Sequence, residues 1–589
     1  MNHLFSEIPK AQIPRSSFDR SSSYRTTFRA GYLIPVYLDE VLPGDTFNMT
    51  HNFLCRLTSP LSVPLMDTLY LDMFYFFVPT RLVWENWERM HGAQDYPGAS
   101  TDYQVPLAAL LSLTGGTSAA KDLADPDAGS GLYPLVNHMG VATATGDTSL
   151  TSDPISVLPL RCYWLIWNEW FRDQNLQSAV KIDTSDGPQI GTWFDSSTAF
   201  YSTLTNPTPP GGSIKQNLLN FPAPSAKLHD YFTSALPFPQ KGPGVEISLS
   251  GNAPVLGNGL TLGLTAGSAY GNFGLTNLED NGANTLRAFA NTYGEKAGIA
   301  STTVSQGLQS VGVGLTTDKT KSGVIADMSS VTAVTINSLR QAFQLQKLYE
   351  RDARGGTRYK EILLAHYGVV SPDARLQRPE YLGGFSEPIT VNTVAQTAEG
   401  ENAPLGNLGA FATARVSRHG FTKSFTEFGY ILGIARVRSV PSYQQGVGRL
   451  WFRKTRTDFY YPVFAHLGEQ PIYLKEIYNI DDEPVANSVF GYQERYAELR
   501  YKPSRITGAF NSLHSQSLDL YHLGQLFSSK PGLNSEFIQD RPPIERAVAV
   551  GSSTDQSANA DQFLFDAYYQ LKCVREMPLY GTPELVDHF

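Results

Sequence analysis

Residues 69–79 read LYLDMFYFFVP. Asp72 is the only charge in an otherwise apolar and aromatic run, and Pro79 closes it. That length and composition predict a β-strand buried on both faces. On its N-terminal side, YLIPVYLDEVLPGDTF (32–47) predicts an extended segment ending in a Pro-Gly-Asp turn. Far downstream, FLFDAYYQLKCV (563–574) alternates, so Phe563, Phe565, Ala567, Tyr569 and Leu571 fall on one face of a strand. ITVNTVAQT (389–397), FTKSFTEFGYILGIARVRSV (421–440) and AVAV (547–550) also read as strand, and glycines in the long one allow a bend or bulge.

Helical signal is sparser. RLVWENWERMH (81–91) suits a short amphipathic helix. In PLRCYWLIWNEWFRDQNL (159–176), Pro159 takes the favoured first turn and Trp164, Trp167 and Trp170 line one face as core. KLHDYFTSALPFPQKG (227–242) predicts a short helix closed by prolines, and HSQSLDLYHLGQLF (514–527) another helix. Two more are expected at 336–354 and in TRYKEILLAHYG (357–368), each with a glycine stop. Strands scattered between long loops do not alternate regularly with helices. This argues against doubly wound sheets and barrels of alternating strand and helix, and for a mainly β antiparallel sandwich with large excursions.

The chain has 589 residues, of which 41% are hydrophobic, 12% aromatic and only 17% charged. Disorder needs the opposite balance. A net charge of −9 excludes a basic overall footprint, so any nucleic-acid contact is a local patch. So few charges and so many rings over this length suggest surface covered by other copies of the chain. Cys55, Cys162 and Cys573 are odd in number and far apart, so neither a disulfide framework nor a Cys-rich zinc site is expected. The first residues, MNHLFSEIPKAQIPRSS, lack the apolar core of a signal peptide, and no spanning helix is predicted.

Two regions differ in composition from the rest. In residues 1–30, Lys10, Arg15, Arg20, Arg25 and Arg29 face only Glu7 and Asp19, which predicts an extended basic arm. Residues 242–335 hold 16 of the 50 glycines, two prolines and ten charged residues, which predicts a surface insertion or a small β-rich subdomain. The remainder, 31–241 and 336–589, is the expected core with its inter-strand loops.

Catalytic signatures are missing. No HExxH, GxSxG or complete phosphate-binding loop occurs, and GVGLTTDKT (312–320) lacks the second glycine of such a loop. His514 and His522 are eight apart, a poor ligand pair, and Asp481-Asp482-Glu483 lacks the alternation of a calcium loop. No metal or cofactor is expected. One constellation stands out between Ala435 and Thr457. Arg436, Arg438, Arg449, Arg453, Lys454 and Arg456 carry six positive charges with no acid among them, and Tyr443, Trp451 and Phe452 are interleaved. Cations for phosphate beside rings for bases are what single-strand binding needs; a subunit interface or a basic strand pair is the structural alternative. Arg495, Arg500, Lys502 and Arg505 with Tyr496 and Tyr501 form a second such group.

Long composite stretches of this chain resemble the major capsid protein of the Microviridae, small icosahedral single-stranded DNA phages, and within them the gokushoviruses. They include YLIPVYLDEVLPGDTF, DMFYFFVPTRLVWENW, LIWNEWFRDQNL, KLHDYFTSALPFPQKG, QKLYERDARGGTRYKEIL, SPDARLQRPEYLGG, FAHLGEQPIYLKEIY, FGYQERYAELRYKPSRITGAF and the terminal DHF. Residues 95–155, 182–222 and 250–335 carry no such likeness. The resemblance implies an eight-stranded antiparallel jelly roll and a T=1 shell of 60 copies around circular single-stranded DNA, with no catalysis and no cofactor. It further implies assembly in the bacterial host cytoplasm with an internal scaffolding protein, and a virion that also holds a DNA pilot protein and a small DNA-binding protein. By position, 242–335 would be the insertion that forms threefold protrusions. Leu262, Tyr270, Phe273 and Leu275 are its candidate contacts with a bacterial surface receptor. The reading from a different class is a carbohydrate-binding or carbohydrate-active β-sandwich.

Overall fold

The computed structural model describes residues 14–109, 135–142, 154–193, 219, 221–245, 336–354, 359–368, 377–397, 405–480, 482–548 and 562–579, with short strands between 255 and 326. Its centre is an antiparallel sheet of nine strand segments. In chain order they are β1 (Ser16–Asp19), β2 (Ser22–Phe28), β3 (Ile34–Val41), β4 (Thr46–Leu57), β5 (Leu69–Pro79), β6 (Glu380–Ala395), β7 (Leu408–Ser424), β8 (Gly429–Ser439) and β9 (Phe563–Arg575). β1 and β2 lie along the same edge of β9, broken only at Arg20 and Ser21, so the nine segments occupy eight positions. The sheet curls at β6. Glu380–Ile389 pairs with β5, while Thr390–Ala395 pairs with β7. One strand thus turns the corner between a first sheet, β1/β2-β9-β4-β7, and a second, β6-β5-β8-β3. The fold is mainly β, as a jelly roll requires.

The two sheets face each other across one aromatic core. Phe53 and Tyr569 of the first sheet pack 5.7 Å apart, and the Tyr37 ring of the second sits 4.8 Å from Tyr569. The buried Tyr569 hydroxyl donates to the Val36 carbonyl at 2.9 Å, tying the sheets with a polar bond no exposed ring could keep. β9 obeys its alternation: Phe563, Phe565, Ala567, Tyr569 and Leu571 are all 2% exposed or less.

β5 is buried on both faces because a second apolar layer covers the far side of its sheet. Leu71, Met73, Tyr75 and Phe77 face the inter-sheet core. Phe76 and Val78, with Leu432 and Ile434 of β8, face helix α1 (Leu158–Ile166). α1 starts with Pro159 in its first turn and runs on into a π-helical turn, Trp167–Phe171. Trp164 and Trp167 are buried, whereas Trp170 is 40% exposed and donates its Nε1–H to the Pro379 carbonyl at 3.0 Å. The fully buried Arg161 of α1 satisfies its guanidinium on the carbonyls of Val83, Ser185, Gly187 and Gln189 at 2.7–3.1 Å. A buried charge needs such saturation.

Several expected elements take another form. Residues 81–91 form a short 3₁₀ turn, Thr80–Leu82, and a single helical turn, Trp87–Met90. Residues 227–242 form no helix, because Asp230 captures the backbone amides of Phe232 and Thr233 in a side-chain turn. Over 514–527 there is only a 3₁₀ turn, Asp519–Tyr521; the neighbouring Gln525 amide goes instead to the Ser442 carbonyl. The stretch 421–440 is the end of β7 and all of β8, split where the Phe425 amide bonds to Asp45 O, and β8 carries a register shift against β3 at Gly433–Ile434. Within 547–550 the described Val548 makes a lone bridge to Leu61.

The chain divides into two compact units, Met1–Lys241 with Glu350–Phe589, and Gly242–Tyr349. In the second, short antiparallel pairs nest about a midpoint: Val255–Gly257 with Val324–Ala326, Leu264–Thr265 with Gly312–Val313, and Arg287–Ala290 with Ala297–Ala300. Helices α2 (Ile336–Arg354) and α3 (Tyr359–Tyr367) follow as expected, and Gly368 ends α3 with φ of 69°.

Candidate nucleic-acid interface

The basic cluster at 435–457 divides into a buried part and an exposed part. Arg436 and Arg438 stand two apart on β8 and share its outer face. Asp72, the single charge of β5, lies directly opposite Arg436. Both arginines donate Nε–H to the same Asp72 oxygen, at 2.9 and 2.6 Å, and Ser386 Oγ donates to the other oxygen at 2.6 Å. Arg436 also reaches Ser225 Oγ at 2.9 Å, and the Arg438 guanidinium lies 4.5 Å over the Tyr70 ring. Beside this group Asp540 is buried, accepts from the Ser439 amide at 3.1 Å, and is pushed up to about 6 by burial. Lys227, also buried, donates to the Phe537 carbonyl at 2.6 Å and is lowered to about 8, again by burial.

Arg449 and Arg453 enter a second internal network. Arg449 Nη1 donates to Pro471 O at 2.8 Å and to Glu476 at 3.2 Å, and Arg453 Nη2 donates to Glu498 at 2.9 Å. Tyr231 and Gln470 complete it, donating to Glu476 at 3.0 Å and to Glu498 at 2.7 Å. Burial raises the Glu476 carboxyl above its ordinary value. Tyr443 is core, with its hydroxyl on Asp230 at 2.7 Å. The exposed remainder of the cluster is Trp451, Lys454 and Arg456, the last 5.0 Å over the Tyr461 ring. In the second basic group Arg495 donates to Thr457 O, Arg500 pairs with Glu494, and Lys502, Arg505 and Tyr501 are exposed. The basic arm also folds onto its own chain. Arg20 pairs with Asp39 at 2.8 Å, Arg25 with Asp566 at 3.1 Å and Arg29 with Glu545 at 2.9 Å. Lys10 and the four residues Leu262, Tyr270, Phe273 and Leu275 lie outside the described residues.

Sequence reasoning did not single out the outer face of the first sheet. β9 and β4 put Leu564, Asp566, Tyr568, Gln570 and Lys572 beside Arg56, Leu54, Asn52, Thr50 and Asn48, with Thr413, Arg415 and Ser417 of β7 on the other side. Among the described residues no helix covers this side as α1 covers the second sheet: Leu54, Tyr568 and Phe411 are 44%, 47% and 48% exposed. Arg25 at the β2 edge is matched by Asp566, and Asp19 lies opposite Lys572. Arg56 and Arg415 have no acidic partner among the described residues. The signal was the polar half of the alternation whose apolar half identified the strand. Among the described residues no group of three or more His, Cys, Asp or Glu is placed to hold a metal ion, and no helix is long and apolar enough to cross a membrane.

Residues 6–585 match the family model described as capsid protein (F protein). The chain is 40% identical to capsid protein VP1 of Bdellovibrio phage phiMH2K, over 100% of this chain and 98% of the relative. It is 38% identical to capsid protein VP1 of Chlamydia phage 1, over 99% and 98%. It is 33% identical to capsid protein VP1 of Spiroplasma virus 4, over 99% and 97%.

Proposed function

Because the chain belongs to the phage capsid protein (F protein) family, we propose that its copies close into a T=1 icosahedral shell around a circular single-stranded DNA genome. Its role is structural, as a component of the virion. The observation that carries assembly is the surface of the long β8–β9 connection. Leu450, Trp451, Val463, Leu467 and Leu513 are 61–84% exposed there, with Tyr460 and Tyr461 between them. A soluble monomer leaves scattered apolar residues bare, but not a run of this density. Such a surface, aromatic and poor in acids, has the composition of an interface core, and copies related by closed symmetry bury it repeatedly. On α2, Phe343 and Leu348 are 64% and 45% exposed.

The finer parts of the reading follow from the same frame. Residues 242–335 build the protrusion at the threefold axes, and Leu262, Tyr270, Phe273 and Leu275 contribute to host attachment through a bacterial surface receptor. Of the 435–457 cluster, Lys454 and Arg456 remain exposed and are its candidates for DNA contact, while Trp451 belongs to the surface between copies. Assembly in the host cytoplasm enlists an internal scaffolding protein, and the DNA pilot and small DNA-binding proteins are packaged with the genome. The test is sedimentation and negative-stain microscopy of the protein co-expressed with its scaffolding partner. Closed particles of uniform size are expected; a protein that stays monomeric overturns the reading.

A further inference from the structure

We propose that the bare outer face of the first sheet, centred on Arg56 and Arg415, is the surface that binds the single-stranded DNA. The proposal rests on the capsid reading above and assigns its genome contact to a face the sequence clusters did not include.

Three observations carry it. The first is where charge has been left unpaired. Arg436, Arg438, Arg449 and Arg453 are held by Asp72, Glu476 and Glu498, and the arm arginines Arg20, Arg25 and Arg29 by acids of the same chain. Arg56 and Arg415 have no acid among the described residues. They are diagonal neighbours on adjacent strands, since Arg56 lies opposite Thr413 and Arg415 opposite Leu54. Diagonal positions in a sheet are about 7–8 Å apart, so two long side chains can engage phosphates of one strand together. In a chain of net charge −9, two unmatched guanidinium groups side by side are a local exception. Phosphate is the anion that fits them.

The second is the chemistry around them. The face presents Tyr568 as an open ring, with Asn52 beside it in register and Gln570 and Thr50 in the next row. Rings stack on any base, and amides and hydroxyls bond base edges and sugars. Strand side chains alternate, so every second residue of neighbouring strands projects to the same side. A sheet face can therefore seat successive bases, the arrangement that other single-strand binders use. A second copy of the chain would call for acidic or apolar complement here. The apolar surface suited to copies lies instead on the β8–β9 connection.

The third is a cleft on this same face. It has a volume of about 510 Å³ and is lined by Leu54, Leu564 and Phe565 together with Thr26, Thr27, Asn137, Arg56 and the Arg25–Asp566 ion pair. That volume lies within the range of small-ligand sites, about 300–1,000 Å³. Apolar side chains beside Arg56, the lining cation that has no acid among the described residues, suit a nucleotide, with its base on the apolar part and its phosphate on Arg56.

The test uses full-length protein in two forms. Unassembled full-length subunits are titrated with a fluorescent 20-mer oligothymidylate at a series of salt concentrations, and assembled particles are measured for DNA content by absorbance. Arg56→Gln/Arg415→Gln is compared with wild type, with Lys530→Gln as an exposed-loop control and with Lys454→Gln/Arg456→Gln. We expect the first double variant to lose about tenfold or more in affinity at low salt. Its log–log salt slope should fall by roughly 1.4, two phosphates at about 0.7 each. Tyr568→Ala should weaken binding at an unchanged slope, as a stacking ring would. Wild-type affinity and slope in Arg56→Gln/Arg415→Gln overturn the proposal, and more decisively if Lys454→Gln/Arg456→Gln is the variant that loses both. A double variant that binds the oligonucleotide normally but no longer assembles assigns the face to a neighbouring copy and equally overturns it. If wild-type protein never forms particles, the capsid reading fails, while the oligonucleotide titration still decides the face.

Discussion

Replacing Asp72 by Asn removes one negative charge from a site where two guanidinium groups depend on it. The side chain keeps its shape, so local packing is undisturbed. What changes is that Arg436 and Arg438, with side chains 13% and 10% exposed, lose their shared acceptor, while the Asn amide turns two donors toward them. Removing one member of a buried ion pair costs about 3–5 kcal/mol, because the remaining charge stays buried and uncompensated. Slight water access to both arginines favours the lower end, so we expect about 3 kcal/mol, a little over a hundredfold in the folded-to-unfolded ratio. The assay is urea unfolding followed by tryptophan fluorescence, since Trp164 and Trp167 pack on the same sheet. The midpoint should fall by that energy divided by the unfolding slope. The triple change Asp72→Leu/Arg436→Met/Arg438→Met should recover most of the loss, because an apolar set of similar volume avoids desolvating ions. An unshifted midpoint in Asp72→Asn refutes the reasoning. So does a rise in oligonucleotide affinity without loss of stability, which would show the two arginines to be available to DNA.

Three further outcomes follow from the same structure. His51 is buried beside Tyr75 and His419, and burial, with His419 second, lowers it to about 3 from its ordinary 6.5. The unfolded chain therefore takes the proton first, and stability falls as pH drops below about 6.5, by about 2 kcal/mol at pH 5; equal pH dependence in His51→Gln contradicts this. Trp164→Ala should cost about 3–5 kcal/mol by leaving a cavity between α1 and the second sheet and freeing the Leu219 carbonyl it now bonds at 2.6 Å, and a thermal melt within a degree of wild type counts against it. Gly31→Ala should destabilise markedly: Gly31 has φ of 83° and its added Cβ would collide with the Asp540 carbonyl oxygen, so soluble yield at wild-type level would show the close approach is not needed.

How much of this was legible depended on whether a residue's partner lay nearby in the chain. β9 was readable because a half-buried strand writes its own alternation, and β5 because burial on two faces writes a solid apolar run. α1 announced itself through Pro159 and its tryptophans. The stretch 514–527 has helical spacing but folds otherwise: its Gln525 amide goes to Ser442, some eighty residues away, and its Leu523 amide to Asp67. The split of 421–440 was hidden for the same reason: Phe425 turns to meet Asp45. Spacing carries no information about such long-range bonds. The resemblance to microvirus capsid proteins carried the family and the mainly β fold, which spacing alone had left among sandwiches.

The charged residues show the same limit and resolve it. A cluster counted along the chain from Arg436 to Arg456 has no acid of its own, yet the fold brings it Asp72 from β5 and Glu476 and Glu498 from the β8–β9 connection. Desolvation makes this inevitable: a guanidinium buried against a sheet must be given a counter-ion or the fold is lost. Density of positive charge in sequence is therefore a weak guide to a polyanion site in a chain with many buried arginines. The informative cation is the one the fold has declined to pair. Arg56 has no other charged residue within ten positions and Arg415 is followed by Arg418 and Lys423, so it is the register of β4 with β7 that makes a pair of Arg56 and Arg415. Lys454, Arg456, Lys502 and Arg505 are exposed as well, but on the β8–β9 connection beside its apolar surface; Arg56 and Arg415 are fixed side by side on a sheet face, and that pair is where an outside anion gains most.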